Sequence, residues 1–170
     1  ANLTTIPSAI TNCSQVTDLS YGNSGGSYLT SWGDLSLMTS LNSFIHSADG
    51  TNTSTPLTVP TGIVNCTNLK SYFCRNSYRS QLRCDEHVNN WYDFIVANAS
   101  IVEGDTQFRQ MTMNFGYTAS AVRNERPSGV YQDVLTPTTP MEKIWKMVNV
   151  YKHTWHVSNE TNNGNIIYTP

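Results

Sequence analysis

The chain has 170 residues, enough for one domain, with 38% hydrophobic and 11% aromatic residues but only 13% charged ones. A net charge of −2 and ten Lys and Arg without a run offer no attraction for nucleic acid or an anionic membrane, which argues against both as partners. No apolar run reaches the ~18 residues of a membrane span, and the start ANLTTIPSAI lacks the basic and apolar regions of a leader, so it is not read as a signal peptide; in a secreted protein it would be the mature form.

Residues 1–33 are poor in charge and rich in Ser, Thr and Gly, and residues 1–26 read as an extended N-terminal arm. Tyr21 to Ser27 is a Gly/Ser-rich loop, and Tyr28 to Trp32 a short strand. Asp34 then caps a helix whose apolar stripe is Leu37, Met38, Leu41, Phe44, Ile45 and Ala48, with Gly50 as its stop. Residues 49–56 form a polar loop. Pro60 and Gly62 leave Leu57 to Val64 as an edge strand at best. Residues 69–82 fit a helix or an irregular loop. From Asp85 to Asn98, Val88, Trp91, Tyr92, Ile95 and Val96 share one helical face. Residues 106–123 read as a β-hairpin turning near 114–116, and Val130 to Leu135 as a strand. Thr139-Pro140-Met141-Glu142 matches a capping box with proline at the first helical position, opening a helix to about Val148. Alternation from Val150 to Val157 predicts a long strand, Asn163-Gly164 a hairpin turn, and Ile166 to Tyr168 a last strand. Neither an internal repeat nor a βαβ alternation is evident. The expected fold class is therefore α+β. Two to three helices, in the first two thirds and near 140–148, pack on a mainly antiparallel C-terminal sheet stapled by disulfides.

Cys13, Cys66, Cys74 and Cys84 are an even set without metal-ligand spacing. Two disulfides are expected, of which Cys13–Cys66 with Cys74–Cys84 is the preferred pairing among three. Six Asn-x-Ser/Thr sequons begin at Asn2, Asn12, Asn52, Asn65, Asn98 and Asn159. With 18 Asn and 39 Ser or Thr in 170 residues, chance supplies about four. The agreement of sequons, cysteines and low charge, rather than the excess itself, points to a secreted setting.

Catalytic constellations are weak. Gly22-Asn23-Ser24-Gly25-Gly26 resembles the nucleophile segment of chymotrypsin-like serine proteases over five residues, but no histidine precedes Ser24, and a Gly/Ser-rich loop accounts for it. His46 and His87 fall on predicted helices, and His153 and His156 on opposite faces of a strand. Glu103 and Asp105 are the only close carboxylate pair outside a helix. No cofactor is implied. Trp145, Tyr151, Trp155 and Tyr168 gather aromatics near the C-terminus, and Tyr151 and Trp155 are the candidate binding residues if their face is exposed.

These features describe a single extracellular domain over 1–170: an N-glycosylated ectodomain, of viral-envelope or surface-recognition type, acting by binding. Its expected partner is a protein or glycan receptor or copies of itself. The alternatives are a structural subunit of an extracellular filament or coat, and a secreted hydrolase.

Overall fold

Three stretches of the chain repeat one pattern of backbone hydrogen bonds. Cys13 N–H donates to Ile10 and Val16 to Cys13; Met38 donates to Leu35 and Leu41 to Met38; Cys66 donates to Ile63 and Leu69 to Cys66, all at 2.9–3.2 Å. Each stretch runs into a β-strand. The computed structural model describes residues 4–21, 29–47, 56, 58–75, 80–98, 112–115, 126–159 and 164–170. Within it the strands after these stretches are β1 (Asp18–Tyr21), β2 (Ser43–Ser47) and β3 (Ser71–Arg75). They pair in parallel, Asp18 with Ser43 and Ser43 with Ser71, so successive turns advance by 25 and 28 residues. A second line of bridges, Thr5 with Ser31 and Asp34 with Thr61, joins the turns on their other side. The described residues among the first 75 thus form a coil of three stacked turns, the arrangement of a repeat protein in which each unit buries its apolar side against the next.

The apolar positions follow from this stacking. Leu35, Met38, Leu41 and Phe44 recur every third residue, as do Ile63, Cys66, Leu69 and Tyr72, and all eight are 0–1% exposed. Asn65 and Asn68 donate their side-chain amides to the carbonyls of Ser36 and Thr39, 29 residues back, at 3.3 and 3.0 Å. Gly62 sits where two turns approach closely. Its φ of 75° is left-handed, and a Cβ there would run into the backbone of Ser36.

After β3 the connections become helical. Helix α1 (Ser8–Thr11) is a single turn in the first coil unit, whereas α2 (Gln81–Ala97) and α3 (Pro140–Asn149) are full crossovers. They carry the chain from β3 to β4 (Thr112–Phe115) and on to β5 (Thr154–Asn159), still parallel. Among the described residues, β6 (Gly164–Tyr168) closes the six-stranded sheet as its one antiparallel strand. Ser80 caps α2 by accepting from Arg83 N–H, and Cys84, His87, Val88, Trp91 and Ile95 form its buried face. Thr139 and Glu142 make the reciprocal capping box of α3.

The register lines Leu19, Phe44, Tyr72, Met113 and Trp155 into one row across five strands. This inner row is buried, with Trp91 of α2 packed edge-on against Tyr72 at 4.7 Å between centroids. Burying each of these large side chains contributes on the order of 2 kcal/mol. α3 joins α2 through Lys143, whose Nζ donates to Asn89 at 2.9 Å and lies over the Tyr92 ring.

Several expectations are corrected. The sheet is mostly parallel, with only β5 and β6 antiparallel. All four cysteines are free thiols, so there is no disulfide staple. Cys13 and Cys66 occupy the same position in the first and third turns, with Met38 between them. Two inter-turn steps put them roughly 10 Å apart, beyond the reach of a disulfide. Residues 34–47 are not a helix, because a spacing of three imitates an apolar helical stripe and the carbonyls of Ser36 and Thr39 are taken by Asn65 and Asn68. Residues 4–21 are the first coil turn rather than a free arm. The internal repeat and the strand–helix–strand crossovers, neither evident in the sequence, are both present. Asn114-Phe115 lies inside β4, not at a turn. Residues 130–135 are not a strand but lie across α3, held by Tyr131, Gln132 and Asp133. The strand expected from Val150 begins only at Thr154, because Lys152 is left-handed, with φ 62°.

Candidate binding face

Alternation along the strands leaves a second face to the sheet. Asp18, Ser43, Ser71, Thr112 and Thr154 occupy one row of register positions. Ser20, Ile45, Phe73, Asn114, His156 and Ile167 occupy the next. Asp18 and Ser20 are exposed, Ser43, Ile45, Ser71, Phe73, Thr154 and His156 are half-buried, and Ile167 is 55% exposed. At about 4.8 Å per strand the six strands span roughly 24 Å. Hydroxyls therefore run beside an apolar and aromatic stripe, and Asp18 is the only formal charge in either row. Such a surface offers hydrogen bonds and stacking, with few charges for electrostatic selection: Asp18, and Arg75 opposite Ser47 in the row beyond.

The inner face is chemically different. Nδ1 of His46 lies 3.9 Å from Sγ of Cys74, and the imidazole stacks on Tyr21 and meets the edge of Trp32. Burial drives the His46 pKa down to about 4. Nε2 of His87 receives the indole N–H of Trp91 at 3.3 Å, and the Tyr72 hydroxyl lies 3.2 Å away. Because an indole only donates, Nε2 is an acceptor and the ring proton sits on Nδ1. Burial, with Cys74 close by, holds the Tyr72 hydroxyl well above its usual range. Burial likewise pushes the Cys66 thiol up to about 11. His46, His87 and His153 are all 0% exposed, so they belong to the core. Glu142 accepts from the backbone N–H groups of Thr139 and Thr138 and from Gln132, which lower its pKa to about 2. It is a capping residue rather than an acid for chemistry.

Of the residues singled out from sequence, Trp155 is 0% exposed and lies in the inner row, so it takes the core alternative. Tyr151 is half-buried against the core. Asn12 and Asn65 are exposed, and Asn98 is half-buried with its amide donating to Phe94 O at 2.7 Å at the end of α2. Asn159 ends β5 opposite Gly164. Asn2, Asn52, Ser24, Glu103 and Asp105 lie outside the described residues. Asn12 and Asn65 open the same Asn-Cys-Ser/Thr triplet at equivalent places in turns one and three. That duplicate was the available sequence signal for the repeat.

No group of three or more His, Cys, Asp and Glu among the described residues is placed to hold a metal. A cleft of about 370 Å³ opens between the first two turns, but its one carboxylate, Asp34, is engaged by Ser36 N–H at 2.9 Å. No helix among the described residues is long and apolar enough to cross a membrane. No protein-family model, curated protein or solved structure matches this chain.

Proposed function

We propose that this chain is a recognition domain that binds a neutral protein or glycan surface through the outer face of its parallel sheet. The observation that carries the reading is the pair of aligned rows, one mostly of hydroxyls and one with Ile45, Phe73 and His156, on a parallel scaffold. Parallel stacking spaces these side chains evenly, and repeat architectures use such surfaces for binding. A secreted, N-glycosylated setting is part of the proposal. It rests on the low charge together with the sequons, of which Asn12 and Asn65 are exposed, and the free thiols lend it no support.

The test replaces Phe73 and His156 by alanine, singly and together. Binding of the purified chain to immobilised neutral glycans and to cell-surface proteins is then compared with wild type. A central aromatic of a binding patch costs ~2 kcal/mol or more on truncation. The expected result is a loss of roughly thirtyfold or more in affinity with a melting temperature close to wild type. Unchanged affinity in the double variant would remove the outer face from consideration. Glycan mapping of secreted material tests the compartment separately, with Asn52, in the polar loop read from the sequence, occupied as the expected outcome.

A further inference from the structure

We infer that the Leu135–Thr136 peptide bond is a processing site for an endopeptidase with an apolar primary pocket, and that the chain stays folded after the cut. The inference is independent of the outer-face reading.

A lone exposed leucine is ordinary on a protein surface. What singles out Leu135 is the backbone beneath it. Residues 130–138 lie in neither helix nor strand, the chain bends at 135–136, and the Leu135 side chain is 96% exposed. Among the described residues, Val134, Leu135 and Thr136 make no hydrogen bond. An endopeptidase takes its substrate as an added strand, so it needs free backbone N–H and C=O groups around the bond it cuts. Exposed loop tips meet that need. Leu82, although 75% exposed, lies within α2, whose helical backbone is closed to such pairing.

Both flanks of the tip are fastened to α3. Before it, the Tyr131 hydroxyl accepts from Asn149 Nδ2 at 3.1 Å, Gln132 Nε2 donates to Glu142 Oε1 at 3.0 Å, and Asp133 pairs with Lys146 at 3.2 Å. After it, the Thr138 N–H and hydroxyl donate to Glu142 Oε2 at 3.0 and 3.2 Å. One carboxylate thus holds both sides. In the cut, water adds to the carbonyl carbon of Leu135 and the C–N bond to Thr136 breaks, leaving a carboxylate on Leu135 and an amine on Thr136. Both new ends stay beside the same helix. The pairing of β4 with β5 and the Lys143–Asn89 bond also join the two halves.

The test incubates the folded chain with chymotrypsin, whose primary pocket is apolar, and reads the earliest products by intact mass and size exclusion. The expected result is a fragment ending at Leu135 and one starting at Thr136, which co-elute until denaturant separates them. Leu135→Asp should slow that cut by at least about tenfold without shifting the melting temperature, and Leu135→Phe should preserve it. The rate should be the same in Gly62→Ala, because the tip needs no unfolding to be reached. A rate raised about thirtyfold by that destabilising change would place the cut in the unfolded chain and overturn the inference. An intact bond in the folded chain, a cut no faster than that after Leu82, or fragments that separate without denaturant would each overturn it as well.

Discussion

His46 and Cys74 stand opposite one another in the register of β2 and β3, with Nδ1 3.9 Å from Sγ, both fully buried. Burial lowers the His46 pKa to about 4, from an ordinary 6.5. Protons therefore bind the unfolded imidazole more readily than the folded one. Stability is complete above pH 6.5 and falls as the pH drops toward 4, by up to about 3 kcal/mol. Urea unfolding at pH 7.5, 6 and 5 measures this slope. His46→Phe should flatten it, and a slope unchanged in that variant would exclude His46 as its source.

The thiols should separate by exposure. Cys13 is on the surface, whereas Cys66, Cys74 and Cys84 are buried. Native protein is expected to take up one alkyl group quickly, and denatured protein all four without prior reduction. Mass spectrometry of both samples checks this, and two masked pairs in the denatured sample would contradict the free-thiol assignment.

Gly62→Ala should be among the more damaging small substitutions. The residue is left-handed and its Cβ would meet the Ser36 backbone, so both strain and a clash oppose the side chain. A loss of about 2 kcal/mol or more is expected in chemical denaturation.

Lys152→Gly should act in the opposite direction. Lys152 holds φ 62° between α3 and β5, where its N–H caps Val148 O. Glycine relieves that conformation, for an expected gain of about 0.5–1 kcal/mol in a thermal melt. No gain would mean that the Lys152 Nζ bond to Asn149 O offsets the relief.

Trp155→Ala should cost ~3–5 kcal/mol of folding stability, as a core aromatic does. At the opposite face of the same strand, His156→Ala should shift the melt little. The pair measured side by side distinguishes the inner face of β5 from its outer one.

The sequence by itself determined the elements whose signals are local. The capping box of Thr139 and Glu142, the apolar face of Val88, Trp91 and Ile95, and the closing antiparallel pair of β5 and β6 all rest on residues close to each other in the chain. Only the tertiary structure decided the rest. A parallel strand finds its partner 25 or 28 residues away, and the uneven step hides the repeat from inspection at a fixed period. Leu35, Met38, Leu41 and Phe44 suit a helix about as well as a coil turn until Asn65 and Asn68 claim the carbonyls beneath them. The even count of cysteines could not reveal that Cys13 and Cys66 stand two turns apart. The outer face exists only once the register has brought Ser43, Ser71 and Thr154 into one row and Ile45, Phe73 and His156 into the next, because no local spacing relates residues on different strands.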